Sequence, residues 1–198
     1  MAYNFEKAKI LIVDDMKPML ALASSVLGIM GFRQVFTASG GEEAFKIVCK
    51  EDPELIITDW LMEPMNGLEF SRLVRRSPLT PNPYVPILMM TGFSSRLRVE
   101  SARDTGITEF LVKPFSSRDL YARVVQIVER PRQFVEANNF FGPDRRRRLL
   151  RDFRGTRKRD DDNIPAKNKS QADIDKDHHL DSILKKLRED TKNIADPT

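Results

Sequence analysis

Ile10-Leu11-Ile12-Val13-Asp14-Asp15 and Leu55-Ile56-Ile57-Thr58-Asp59 are built alike: four apolar or β-branched residues run straight into carboxylates. Runs this short and this apolar read as strands buried on both faces, and the charges behind them mark where each strand ends. Three further runs match, Val35–Ala38, Ile87–Met90 and Phe110–Val112. Helical stripes lie between them. Met19, Leu22, Ala23, Val26, Leu27 and Met30 recur at helical spacing and stop at Gly31. Ala44, Phe45, Ile47 and Val48 mark a second helix, and Leu68 to Val74 a third. Ser94 to Asp104 predicts a weaker one with Arg96, Arg98 and Arg103, and Leu120, Val124, Ile127 and Val128 a last one, stopped before Pro131. Five strand–helix units predict an α/β fold, a doubly wound five-stranded parallel sheet with helices on both faces.

In such sheets chemistry collects at the carboxyl ends of the strands. Asp14 and Asp15 follow the first strand, Asp59 the third, Thr91 the fourth, and Lys113-Pro114 the fifth. A single Asp there is commonly a helix cap, and a lone Thr or Lys is commonly structural; all five at successive strand ends make a constellation. Three gathered carboxylates repel one another and call for a cation. Oxygen-only donors favour a hard ion, and Mg²⁺ keeping several waters fits best. A carboxylate beside such an ion can attack a phosphoryl group and become an aspartyl phosphate. Lys113 would then neutralise one phosphoryl oxygen and the Thr91 hydroxyl would hydrogen-bond another.

The pieces ILIVDD, Asp59-Trp60-Leu61-Met62 leading to Met65-Asn66-Gly67, ILMMTG and EFLVKPF together resemble the CheY-like receiver domain of two-component response regulators, over roughly residues 6–130. The resemblance implies a flavodoxin-like receiver fold and Asp59 as phosphoacceptor. It implies Mg²⁺ held by Asp15, Asp59 and the main-chain carbonyl of Leu61, with Asp14 helping through water. Thr91 and Lys113 would bind the phosphoryl group, Thr91 and Phe110 would form the switch, and the Lys113–Pro114 bond would be cis. A sensor histidine kinase or phosphotransfer protein would be the donor. Phosphorylation would draw Thr91 inward and leave space for Phe110, altering the surface of the 94–104 segment, the fifth strand and the last helix. The lesser alternative for Phe110 is an ordinary core or surface-patch aromatic. Three departures stand out. Gly92 occupies a position usually held by Ala, and Glu63-Pro64 shifts the usual Pro by one residue. Leu61 and Phe93 are apolar where they would flank an attacking water, which predicts slow self-dephosphorylation. SPLTPNPYVP, residues 77–86, reads as a rigid loop without chemistry of its own.

Charge divides the 198-residue chain. Residues 1–130 hold 16 basic and 16 acidic side chains, 132–159 hold 10 and 3, and 160–198 hold 7 and 10. Beyond 130 only 14 of 68 residues are Leu, Ile, Val or Phe, so that region is expected to be an extended or disordered tail rather than a packed domain. The expected divisions are a receiver over 1–130, an arginine-rich ligand-binding tail over 131–159, and a polar tail over 160–198. Leu180, Ile183, Leu184 and Leu187 give that polar tail a helical pattern within 178–190. This suits a partner-binding helix or one frayed in water. No stretch beyond 130 supplies a helix-turn-helix reader, which argues against sequence-specific DNA binding.

Eight arginines and Lys158 crowd residues 145–159, with Phe140-Phe141 before them and Phe153 among them. A basic run is often merely solvated. Arginine adds planar stacking and paired donors suited to phosphate and to guanine edges. FFGPDRRRR behind a receiver resembles the Cle group of CheY-like proteins, whose arginine-rich tails bind cyclic di-GMP. That resemblance implies Arg145, Arg146, Arg147, Arg148, Arg151 and Arg154 as ligand-binding residues. It also implies an output through a flagellar motor, adhesion or chemotaxis partner. Nonspecific nucleic acid, a protein and an anionic membrane surface remain alternatives, as does a receiver acting purely as a phosphotransfer shuttle or docking adaptor. Apart from its own phosphorylation and dephosphorylation, no enzymatic output is expected. One cysteine, Cys49, excludes an internal disulfide, and His178-His179 lack the spacing of a metal site. With no apolar run of membrane-spanning length and no signal-peptide pattern, a cytoplasmic protein is expected.

Overall fold

Strands apolar on both faces must be covered on both faces, and the computed structural model shows how this chain does it. The structure describes residues 5–92, 105–137 and 140–144. Five parallel strands, β1 (Lys9–Val13), β2 (Gln34–Ala38), β3 (Leu55–Asp59), β4 (Ile87–Thr91) and β5 (Glu109–Val112), form one sheet in the order β2-β1-β3-β4-β5. This is the flavodoxin-like order, with its switch point between β1 and β3. The central strands β3 and β4 are buried at every residue.

Helices α1 (Lys17–Ile29), α2 (Gly41–Glu51), α3 (Gly67–Arg76) and α4 (Ser117–Glu129) complete the body among the described residues. Strand alternation sends Ile10, Ile12, Leu55, Ile57, Leu88, Met90 and Leu111 to one face. There they meet Ala23, Val26 and Leu27 of α1 and Leu120, Val124 and Ile127 of α4. Helices α2 and α3 pack together, with α2 against β1 and β2. Two capping boxes set the starts of α3 and α4. Asn66 Oδ1 accepts from the Leu68 and Glu69 amides at 3.0 Å each while Glu69 accepts from the Asn66 amide at 3.2 Å. Ser116 and Asp119 do the same for α4, accepting from each other's amides at 3.2 and 2.9 Å. None of the described helices is long and apolar enough to cross a membrane.

The five strands lie within one residue of their expected bounds. The fold departs from expectation after residue 130. Two short strands, β6 (Phe134–Ala137) and β7 (Phe140–Pro143), pair as an antiparallel hairpin in the same compact unit as the sheet. It is fastened by aromatic rings. Tyr84 lies edge-on to Phe134 and Phe141, with centroids 5.4 and 5.1 Å apart. The Arg75 guanidinium sits 5.1 Å from the Phe134 ring centre. Arg75 is 6% exposed and donates to the Gly106 carbonyl at 2.9 and 3.2 Å and to the Pro83 carbonyl at 2.8 Å. Burial pulls its guanidinium down to about 9. The proline-rich loop is therefore the seat of the hairpin, not an inert spacer. The helix expected over 94–104, Phe93, and everything from Arg145 onward lie outside the described residues, including the polar tail and its 178–190 pattern.

Candidate functional site

The carboxyl ends of β1, β3, β4 and β5 bring the expected residues together. Asp14 is fully buried, Asp15 exposed and Asp59 8% exposed, and a carboxylate oxygen of each lies within 4.8 Å of the others. Lys113, one residue past β5, reaches across the sheet edge. Its Nζ is 2.9 Å from Asp59 Oδ1 and 3.1 Å from Asp14 Oδ2. The second Asp14 oxygen accepts from the Met16 amide at 2.8 Å, which fixes that carboxylate as the chain turns into α1.

Burial pushes the Asp59 carboxyl above its ordinary value, and the charge of Asp14 adds to this; Lys113 and the Trp60 amide pull it partly back. Burial alone would lower the Lys113 ammonium, but hydrogen bonds and attraction from Asp59 and Asp14 outweigh it and hold it above its ordinary value. Among the described residues one ammonium, Lys113, is paired with two of the three clustered carboxylates, which leaves that set net negative. The donors are oxygens only and one carboxylate faces water, so the residues present fit a hard divalent cation.

Thr91 closes β4, and its side chain is fully buried. The register pairs Asp59 with Met90 and Thr91 with Val112, placing Thr91 one residue beyond Asp59 on the adjacent strand. Phe110 pairs with Met89 and so shares a sheet face with Thr91, half-buried. The Lys113 amide donates to the Thr91 carbonyl at 2.7 Å, tying the two strand ends together. Leu61, two residues past Asp59, is 58% exposed, while Met62 and Met65 are buried. The Glu63–Pro64 and Lys113–Pro114 bonds are both cis.

Gly67 is a site determinant that sequence reasoning missed. A Cβ built there would lie 2.0 Å from the Asp59 carbonyl oxygen and 3.2 Å from Trp60 Cα. The Gly67 amide donates to the Trp60 carbonyl at 2.9 Å, so the start of α3 is pressed against the backbone of Asp59 and Trp60. Its signal was present, since Asn66-Gly67 with Glu69 two residues on is a capping-box start. The six arginines expected to bind a ligand, Arg145 to Arg148, Arg151 and Arg154, lie outside the described residues.

Fold order, an acidic pocket at the strand ends and a lysine bridging two of its carboxylates are the marks of a receiver. The family model for the response regulator receiver domain matches residues 10–125, and the chain belongs to that family. Over 119 residues it is 34% identical to a probable chemotaxis protein CheY of Rhizobium etli, covering 60% of this chain and 91% of the relative. Chemotaxis protein CheY-3 of Vibrio cholerae is 31% identical over 122 residues, 62% of this chain and 92% of that one. Among solved structures, chemotaxis response regulator CheY4 of Vibrio cholerae superposes with a TM-score of 0.57 at 33% identity, covering 61% of this chain and 98% of that one. Receiver domains are phosphorylated on an aspartate, bind Mg²⁺ at their acidic pocket and work with histidine kinases or phosphotransfer proteins. Here that pocket is the Asp14, Asp15 and Asp59 cluster. The matched region ends before the hairpin and the arginines.

Proposed function

We propose that this chain is a CheY-like response regulator phosphorylated on Asp59, whose arginine-rich tail binds cyclic di-GMP to control a motor, adhesion or chemotaxis partner. The observation that carries the first half is the Lys113 ammonium, 2.9 Å from Asp59 and 3.1 Å from Asp14. It sits where a phosphoryl oxygen on Asp59 would need a positive charge. An Asp59 oxygen attacks the phosphorus of a phosphohistidine on the donor protein. The new O–P bond forms as the P–N bond breaks, and the imidazole nitrogen keeps the electron pair. Asp15, Asp59 and the Leu61 carbonyl would hold Mg²⁺, with Asp14 behind them. When bound, that ion supplies Lewis-acid neutralisation of the charge on the transferring group. Lys113 binds one phosphoryl oxygen and the Thr91 hydroxyl another. Thr91, drawn toward the phosphoryl group, frees space on the sheet face it shares with Phe110.

For the tail, the support is the arginine and aromatic content of 140–159, which suits two guanine edges and two phosphates. Two experiments test the reading. Incubation with acetyl phosphate and Mg²⁺ should phosphorylate the wild type and leave Asp59→Asn unmodified; equal labelling of the variant rejects Asp59. Calorimetric titration of cyclic di-GMP into the wild type and into a chain with Arg145–Arg148 replaced by Ala, with GTP as control, tests the tail. Binding by the wild type alone supports the reading. Equal binding of GTP, or none of either nucleotide, rejects it and leaves a shuttle or docking adaptor.

A further inference from the structure

Glu109 is a buried carboxylate at the wrong end of the sheet to take part in phosphoryl chemistry. It is 5% exposed and begins β5 at the amino-terminal edge, about 13 Å along the strand from Lys113 at roughly 3.3 Å per residue. Side chains of the described residues Arg132, Gln126 and Arg123 converge on it. Arg132, the residue two before β6, places Nη2 2.5 Å from Glu109 Oε1. Gln126 donates to the same oxygen at 3.2 Å, and Arg123 Nη1 stands 3.9 Å from Oε2, both from α4. The next residue along β5 is Phe110, and the strand leads on to Lys113, which grips Asp59.

The hairpin is locked onto the same edge by independent contacts. Phe134 and Phe141 pack on Tyr84, and Phe134 lies under Arg75. Gly106, at φ +83°, lets the Phe141 carbonyl come within 3.0 Å of where a Cβ would stand. The Asp144 amide closes the base on the Gln133 carbonyl at 2.6 Å. Arg145, the first of the arginine run, follows at once. So β5 leads to the phosphosite lysine at one end, and at the other carries an ion pair to Arg132, two residues before the hairpin.

We infer that the 134–143 hairpin is a phosphorylation-responsive element, coupled to Asp59 through β5, with Glu109 and Arg132 as positioning residues that join it to the strand. The inference rests on Asp59 being the phosphoacceptor. It assigns the hairpin, a feature outside the family match, as a further element in which the state of Asp59 is read out. Whatever biases β5 from either end biases the other equally, since such coupling is reciprocal.

Hydrogen exchange on the full chain, with and without beryllofluoride and Mg²⁺ as the acyl-phosphate mimic, tests this. Amides near Asp59, Thr91 and Lys113 report whether the mimic binds; those of 134–144 report the hairpin. The expected result is a change in hairpin exchange of about fivefold or more, the lower end of usual allosteric coupling. It should be lost in Arg132→Ala and restored in Arg132→Lys. Removing Arg132 takes a cation from a buried carboxylate, so that variant can fail to fold. Phe134→Ala, which loosens the hairpin without touching the ion pair, is the second route and should also abolish the response. Site amides that respond while hairpin amides stay silent overturn the inference, as does a response that survives both substitutions. Silence at the site itself overturns the phosphoacceptor reading and this inference with it.

Discussion

Replacing Gly67 with Ala tests the geometry of the site with a single methyl group. The new Cβ would stand 2.0 Å from the Asp59 carbonyl oxygen and 3.0 Å from its carbonyl carbon. An ordinary carbon–oxygen contact is about 3.3 Å, so roughly 1.3 Å of movement must be found. Neither side yields it cheaply. Asp59 closes a fully buried central strand, and the Trp60 amide after it donates to the Met90 carbonyl at 2.9 Å. On the other side the start of α3 is held by the Asn66–Glu69 capping box. Overpacking of this kind costs about 1–3 kcal/mol, against which the better helix propensity of Ala returns at most ~1 kcal/mol. The expected net is a loss of about 1–2 kcal/mol in urea unfolding. A tilt of Asp59 away from Lys113 should also weaken beryllofluoride binding by about tenfold, corresponding to 1.4 kcal/mol. Gly28→Ala is the control: its Cβ would meet nothing within 4 Å, in the last turn of α1. That change should be neutral or stabilise by at most about 0.5 kcal/mol, below the mid-helix gain. A Gly67→Ala protein with wild-type stability and wild-type beryllofluoride affinity would refute the reasoning.

Three other outcomes follow from the same site. Burial holds the Asp59 carboxyl above its ordinary value, so its ionised form costs stability at every pH above the folded-state value, and the cost fades as pH falls through it. Asp59→Asn should therefore unfold at higher urea than wild type at pH 7 without Mg²⁺, with the difference shrinking toward acid pH; a destabilised variant contradicts this. Because the described residues set one ammonium against three clustered carboxylates, millimolar Mg²⁺ should raise the wild-type melting temperature and EDTA should reverse it, while Asp15→Asn should abolish most of the shift. Leu61, two residues past Asp59 and 58% exposed, should hinder the water that hydrolyses the aspartyl phosphate. Leu61→Asn should shorten the decay lifetime of phosphorylated protein, and a wild-type lifetime of only seconds would remove the premise.

Legibility in the sequence followed how local the cause was. Ile10–Asp15 and Leu55–Asp59 announce themselves because a buried strand is apolar on both faces and its first charge marks its end. The site was readable from those ends, since a parallel sheet aligns them at one edge. Gly67 was harder: its role comes from the backbone of Asp59, eight residues earlier, which no periodicity reveals. The hairpin was hardest. FVEANNFFGP has two four-residue strands and little alternation, and its stability comes from Tyr84 in a proline-rich loop and from Arg75 at the end of α3. Arg75 looks in sequence like a solvated last-turn base, yet three main-chain hydrogen bonds and a ring bury it. Low aliphatic content past residue 130 pointed to no core of its own, and the hairpin indeed borrows one from the body.

Whether the phosphosite would speak to the hairpin through space or through β5 can be decided by magnitude. Asp59 and Glu109 lie two strands and two residues of register apart, which at about 4.8 Å per strand and 3.3 Å per residue puts a unit charge added at Asp59 roughly 12 Å from the Glu109–Arg132 pair. Coulomb's law then gives roughly 0.3 kcal/mol at a dielectric of 80 and ~1.4 kcal/mol at 20 for each charge of the pair. The two charges of the pair are opposite, so their responses largely cancel, and what survives is screened beyond about 8–10 Å at physiological salt. A through-space effect thus falls below the 1–3 kcal/mol typical of coupled sites. A packed strand tied at both ends, by Lys113 to Asp59 and by Glu109 to Arg132, carries a displacement regardless of salt. Beryllofluoride-induced exchange changes at 134–144 should therefore persist when NaCl rises from 0.05 to about 0.5 M, where the screening length falls to roughly 4 Å. Disappearance of the hairpin response at high salt, with the site still saturated, would show that the field and not the strand carries the signal.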